Sequence, residues 1–438
     1  MTQNLAVEVL RDPSHGFTGV PPQWDGTPTA PADGPPAELR VKLYRSGLDE
    51  LKALATLQGA QEAGAGARPW HQATLAVSPE ELLDRADRLR AIWRDQVVHH
   101  QNTDTVTATG TDSGYGQRVG AYLLSEAVDL TELSALTDPL VARLADEGFD
   151  LLHVLLDGPD YALGRFREFL MSTLNGERPL RISFESEWQL PWPMLAVDPA
   201  RCASPWEAFL GHRHQVEQAD TGYPWDHAPL GRRQLATTSL NKDTALDHVG
   251  RAHEVHKLLE ERSLLTVRTQ GSELLDALSR SVLHEDVMYF WCHGHFVSTG
   301  ASSQCLTIRL SDTENIDGPV VQRKRRSYAY SAQARFKPFV LLNACHSAQA
   351  AAPGRLKHLG QELIALGADG VLAPQIEIPQ VFATEYAHAF LDRYLSGRHT
   401  VGEIGQWLVR HFARDFHNPL ALAYSLNCGI NNRLDLAS

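Results

Sequence analysis

FVLLNACHSA (residues 339–348) and DVMYFWC (residues 286–292) run through apolar side chains without polar alternation. A strand with one face in water alternates apolar and polar residues, whereas a strand covered on both faces does not. Both stretches therefore read as central strands of a layered sheet. The first ends on a thiol, Cys345, among small and polar residues, and the second ends in Cys292-His293-Gly294-His295. A buried strand that closes on reactive groups calls for a reading of what surrounds it.

Strand-like and helix-like segments alternate around these two. AELRVKLYR (37–45), HQATLAV (71–77), PLRISFESE (179–187), LLTVRTQ (264–270) and ADGVLAPQI (368–376) read as strands. Apolar residues at helical spacing predict helices over 79–100, 244–262, 272–283, 354–367, 382–397 and 401–416, with Ser272 placed to cap the third. GAYLLSEAV and LVARLADEG also suggest helices, while periodicity leaves LLHVLLD (151–157) open between strand and helix. Strands alternating with helices of this length predict an α/β fold with a central, mostly parallel sheet. Residues 11–37 are rich in Pro and Gly and read as an irregular arm; QNTDTVTATGTDSGYG (101–116) reads as a loop and a boundary. The expected organisation is a small N-terminal α+β segment over 1–115, regulatory or partner-binding, and a catalytic domain over 116–438. No repeat of 20–50 residues is present.

Composition narrows the function classes. The chain has 438 residues, 43% hydrophobic and 21% charged, with 40 basic against 53 acidic side chains and a formal charge of −13. That balance argues against nucleic acid and anionic membrane as partners. No apolar run reaches the roughly 18 residues that cross a bilayer, and MTQNLAVEVLRDPSHGF has neither a basic nor a long apolar region of the signal-peptide kind. The five cysteines are scattered and form no C-x-x-C pair, so neither a zinc ribbon nor a disulfide framework is expected. The expectation is a cytoplasmic protein without metal or cofactor.

In open α/β sheets ligands gather beyond the C-terminal ends of the strands. If strands 286–292 and 337–344 are adjacent and parallel, His293 and Cys345 leave the sheet on one rim. A thiol is only a few per cent ionised at neutral pH, and a neighbouring imidazole can take its proton and later protonate a leaving amine. The backbone N–H groups of Gly294 and Cys345 are the expected oxyanion donors, each worth roughly 3 kcal/mol in such sites. By contrast, Cys292 should point to the opposite face and be inert. His295 and His346 are further candidates to line the cleft. Glu377, after strand 368–376, is a candidate pocket carboxylate that would favour a basic substrate residue; Glu185, Glu187 and Asp198 are its rivals.

The pair F-W-C-H-G and L-L-N-A-C-H-S resembles the caspase-like cysteine peptidases of the separase–gingipain–caspase group, and more narrowly the CHAT domain. SEWQLPWPMLAVD (186–198), FLGHRHQV (209–216), AHEVHKLL (252–259) and LGADGVLAPQIEI (366–378) resemble further segments of that family. The resemblance implies a caspase–haemoglobinase-like layered fold and peptide-bond hydrolysis by a His293–Cys345 dyad without a cofactor. It also implies a specific protein substrate, a regulatory protein partner, and a role in bacterial defence or programmed death. Two positions depart from the family pattern. His346 stands where Glu or Gln is common, and Gln375 stands where Trp usually forms the floor of the substrate pocket. The tetratricopeptide array that often accompanies the domain is missing. The alternative expectation is therefore an inactive CHAT-fold interaction module; a thiol-dependent acyltransferase is a third. The basic run Arg323–Arg326 reads as an exposed loop or, given an acidic pocket, as a processing or pseudosubstrate segment.

Overall fold

The computed structural model describes residues 38–46, 50–58, 70–100, 123–219, 234–298, 304–328, 336–345 and 359–436. The expected arm (11–37) and the 115–116 boundary lie outside them. The strands are β1 (Glu38–Arg45), β2 (Leu51–Gln58), β3 (Trp70–Leu75), β4 (Arg181–Ser186), β5 (Gln215–Ala219), β6 (Ala236–Lys242), β7 (Ser263–Arg268), β8 (Val287–Ser298), β9 (Gln304–Arg309), β10 (Phe339–Cys345), β11 (Gly370–Pro374) and β12 (Tyr424–Asn427). The helices are α1 (Pro79–Trp93), α2 (Leu123–Glu126), α3 (Ser134–Leu156), α4 (Tyr161–Leu174), α5 (Leu210–Arg213), α6 (Ala252–Arg262), α7 (Gly271–Leu278), α8 (Gly318–Arg325), α9 (Leu359–Ala365), α10 (Gln380–Tyr394) and α11 (Val401–Phe416).

Among the described residues one sheet of 12 strands runs in the order β3-β2-β1-β4-β5-β12-β11-β10-β8-β6-β7, with β9 paired to β8. Most neighbours are parallel; β1–β2, β2–β3, β11–β12 and β8–β9 are antiparallel. This is the α/β class expected, with its central, mostly parallel sheet. The reason for the unbroken apolar runs is direct. Val287, Tyr289 and Trp291 of β8 enter one core together with Phe339 and Leu341 of β10. Met288, Phe290 and Cys292 enter a second core on the opposite face with Val340 and Leu342. Side chains of α6, α10 and α11 fill the first core, and those of α7, α8 and α9 the second. Each large apolar side chain so covered contributes about 1.5–3 kcal/mol.

Residues 38–75 supply β1–β3, and β1 joins β4 in a parallel ladder from Glu38↔Arg181 to Leu43↔Ser186. The N-terminal segment is thus hydrogen-bonded into the same sheet, and residues 37–438 form one compact unit. Near the middle, β5 meets β12 through a single register pair, Asn427↔Gln218. Cys428 N–H donates to Gln218 O at 2.9 Å, and buried Glu217 accepts from Ile430 N–H at 2.8 Å.

One open local reading is settled and two are corrected. LLHVLLD is the end of α3, because Leu151, Leu152, Leu155 and Leu156 bury one helical face. The cap of α7 is Gln270 rather than Ser272, since Glu273 reaches back to accept from the Gln270 N–H at 3.2 Å. The helix expected over 244–262 is broken: a short 3₁₀ turn (Thr244–Leu246) is followed by Gly250 at φ +49° before α6 begins. A Cβ at Gly250 would stand 2.3 Å from Thr384 Oγ1, the atom that accepts from the Arg251 N–H at 3.0 Å. Gly250→Ala is accordingly expected to lower the unfolding free energy by about 1–3 kcal/mol. Urea unfolding checks this, and an unshifted midpoint contradicts it.

Among the described residues no helix is long and apolar enough to cross a membrane. Arg323–Arg326, read as a loop from sequence, are instead the last turn of α8 and the start of a 3₁₀ turn. Arg325 is buried, donates to the carbonyls of Leu278 and Arg280 at 3.1 Å each, and lies 4.6 Å from the Phe336 ring centroid. An extended pseudosubstrate would require this turn to unwind.

Candidate active site

β8 and β10 are adjacent and parallel, and their register runs from Val287↔Phe339 to His293↔Cys345. The two residues picked out from sequence are therefore direct Cα partners where β10 ends. Cys292, by contrast, is fully buried in the core of the other face. Below Cys345, Asn343 anchors the strand: its amide donates to Ala383 O at 2.9 Å and its carbonyl accepts from the Tyr424 hydroxyl at 2.8 Å. Tyr424 in turn stacks on Tyr386 of α10 at 3.7 Å between ring centroids. The strand that carries Cys345 is thus pinned to α10 and β12.

The side of β8 away from β10 brings in a residue that the sequence reading missed. Asp243 comes directly after β6, and its Oδ2 lies 3.5 Å from His293 Nε2, with 13% of the carboxylate side chain and 35% of the histidine side chain exposed. That separation is an ion-pair contact rather than a close hydrogen bond. The turn that carries the carboxylate is held from several directions. The Asp243 N–H donates to Trp291 O at 2.9 Å, and Asp243 Oδ1 accepts from the Ala245 N–H at 3.0 Å. The Trp291 indole donates to Leu246 O at 3.2 Å, and the Thr244 N–H donates to Ser311 Oγ at 2.8 Å. The turn carrying Asp243 is therefore fastened to the strand carrying His293. Its only sequence signal is an Asp before a short helical turn, the common pattern of a cap.

β8 outlasts its parallel neighbours and folds into a hairpin with β9, in which His293 pairs with Arg309, Gly294 with Ile308 and His295 with Thr307. Arg309, also missed, donates from Nε to Asn315 Oδ1. Gly294 is buried within this hairpin. His346 lies outside the described residues, as do the side chains of Cys345 and His295.

On the other flank, β11 runs parallel to β10 with Leu341 opposite Leu372. Gln375, just past its end, donates its N–H to Ala423 O at 2.8 Å and accepts from Arg90 Nε and Nη2 at 3.0 and 2.9 Å. Glu377 Oε2 lies 3.4 Å from His99 Nε2. The rival carboxylates are engaged elsewhere: Glu185 with Lys42 at 3.3 Å, Glu187 with Arg45 at 3.7 Å and Asp198 with Arg201 at 3.1 Å. Among the described residues no group of three or more His, Cys, Asp or Glu is placed to hold a metal ion.

No family model matches the chain, and no curated protein matches it. Among solved structures it is similar to two of the separase–securin complex of Saccharomyces cerevisiae, determined at 3.0 and 2.6 Å. Each aligns with a TM-score of 0.42 at 9% identity and covers 89% of this chain. The chain spans 30% of the length of the chains it matches there.

Proposed function

We propose that the protein is a cysteine endopeptidase of the caspase-like, CHAT type that cuts a specific protein substrate. One observation carries the reading: His293, midway along β8, and Cys345, the last residue of β10, are register partners on neighbouring parallel strands. Register partners in a parallel pair belong to the same face of the pleat, which supports a reading in which the two residues act together. In this reading Cys345 is the nucleophile, His293 moves the proton, and Asp243 is a positioning residue. An ionised Asp243 beside Nε2 favours the tautomer with hydrogen on that nitrogen, which makes Nδ1 the acceptor for the thiol proton.

In the first half-reaction the thiol proton passes to the imidazole and the sulfur attacks the scissile carbonyl carbon. The tetrahedral oxyanion collapses, the C–N bond breaks, and the imidazolium gives its proton to the leaving amine. Water then adds to the thioester, with the imidazole taking its proton, and releases the acid and the thiol. Gly294 and Cys345 remain the proposed oxyanion donors. The test compares wild type with Cys345→Ala on a lysate, with fragments identified by mass spectrometry; fragments common to both sink the proposal.

A second reading is favoured by Gln375. The position where the resembling family carries the Trp of its pocket floor is here an amide tied to Arg90. An inactive CHAT-fold interaction module would then bind the same protein partner without cutting it, and wild type would release no Cys345-dependent fragment.

A further inference from the structure

His293 is flanked on both edges at one level of the sheet. Cys345 of β10 is its register partner on one edge of β8, and Arg309 of β9 is its partner on the other. The second edge is the one that β6 holds lower down, as far as the Lys242↔Trp291 pair, so β9 takes over where β6 gives way to Asp243. The backbones therefore follow one another in the order Cys345, His293, Arg309. Two strand spacings put Arg309 about 10 Å from Cys345, on the far side of the histidine.

The Arg309 side chain belongs to the same face as His293. Ile308 and Leu310 on either side of it enter the second core, as Cys292 does beside His293. Alternation along each strand then turns Arg309 and His293 to the opposite face. A tight turn steadies the arginine: Ile308 and Ile316 bridge through N–H···O bonds of 2.8 and 3.0 Å, which brings Asn315 across from it. The Asn315 side-chain carbonyl accepts from Arg309 Nε. That partner is neutral and leaves the charge uncompensated. Among the described residues neither Asp312 nor Glu314, in the turn between Arg309 and Asn315, forms an ion pair with it; Asp312 instead accepts from the Gly271 N–H at 2.7 Å. Arg309 is half-buried, and with Nε held its two Nη groups form a planar fork suited to a carboxylate.

We propose that Arg309 determines specificity on the leaving-group side of the cut, by pairing with an acidic side chain in the first two residues after the scissile bond. The inference rests on the peptidase reading. In that reading His293 protonates the leaving amine, so the nitrogen lies at the imidazole and the chain beyond it runs away from Cys345, toward β9. An extended residue advances about 3.3 Å and a neighbouring strand lies about 4.8 Å away, so one or two residues cover the step from His293 to Arg309. The preferred substrate is a protein segment with Asp or Glu just after the cut.

Cleavage-site profiling on a lysate tests this. New N-termini are identified by mass spectrometry for the full chain as wild type, Cys345→Ala, Arg309→Glu and Arg309→Lys, and only those absent with Cys345→Ala are counted. Wild-type cuts are expected to be enriched about tenfold in Asp and Glu at the first two positions after the cut, relative to the lysate. Arg309→Glu is expected to abolish that enrichment and to favour Lys and Arg there, while Arg309→Lys keeps the acidic preference in weaker form. A purely structural arginine would lower the yield at every site without inverting the preferred charge. If the reversed charge does not fold, Arg309→Gln, which keeps a donor for Asn315, is the readout and is expected to lose the enrichment. Wild-type sites without acidic enrichment, or an unchanged profile in Arg309→Glu, overturn the role of Arg309 and leave the peptidase reading in place. Fragments that persist in Cys345→Ala, or no fragments from wild type, remove the peptidase reading and this role with it.

Discussion

Cys345→Ala is expected to abolish cleavage, His293→Ala to lower kcat by about 10²–10⁴-fold, and Asp243→Asn by about 10- to 100-fold. The order reflects what each group does. Without sulfur no acyl-enzyme forms. Without the imidazole the thiol has no acceptor for its proton and the leaving amine no donor, which is the full range assigned to positioned acid–base catalysis. Asp243 acts only through His293, at 3.5 Å and with the imidazole a third exposed, so water screens part of its effect. Asn is the informative replacement. Its carbonyl can still accept from the Ala245 N–H, as Asp243 Oδ1 does at 3.0 Å, so the turn keeps its cap. What is lost is the charge and, facing His293 Nε2, the acceptor, which becomes an amide donor. A fall in kcat with unchanged KM and melting temperature supports positioning; a matching fall in melting temperature would make Asp243 a structural residue.

Raising the pH from 5 to 8 is expected to destabilise wild type by about 3 kcal/mol relative to Glu217→Gln. Glu217 sits fully buried on β5 where it meets β12, and burial pushes its carboxyl up to about 7, against the opposing Ile430 N–H. Glu38 on β1 adds to the rise and Arg40 opposes it. An acid with a raised folded-state pKa holds its proton in the fold while the unfolded chain releases it. Its contribution is complete below the ordinary carboxyl pKa of 4.5 and is lost as pH rises through about 7. The amide of the Glu217→Gln variant keeps an acceptor for the Ile430 N–H and cannot ionise. Chemical denaturation of both proteins across this range measures the difference directly, and two parallel stability curves would contradict it. The comparison cancels the acid limb set by His212 and His214, which burial holds down to about 4. In His214 the tautomer is fixed: Nδ1 accepts from the Leu180 N–H at 3.1 Å and Nε2 donates to Leu174 O at 2.9 Å.

The same kind of buried polar group explains why sequence patterning missed β5 and β6. β5 buries Gln215, Glu217 and Gln218, and β6 buries Thr238, Ser239, Asn241 and Lys242. Their hydrogen bonds run to other strands and loops: Gln218 to Trp192 Nε1 at 3.1 Å, Thr238 to Ser263, Asn241 to Tyr289 O at 3.4 Å. A polar residue whose partner is remote carries no periodic signal, so neither strand announces itself. β8 and β10 announce themselves because burial on both faces leaves only apolar choices.

Sequence alone determined the layer architecture and the two strands that carry His293 and Cys345, since covering both faces of a sheet dictates residue type locally. Their being neighbours in register was a conjecture that only the sheet order could settle. Asp243 at the imidazole, Arg309 across the hairpin, and Arg90 and His99 on the β11 rim were decided by tertiary structure. Arg90 and Gln375 lie 285 residues apart in the chain, and a charge meets its partner at that distance only through packing, which leaves no mark in either local sequence.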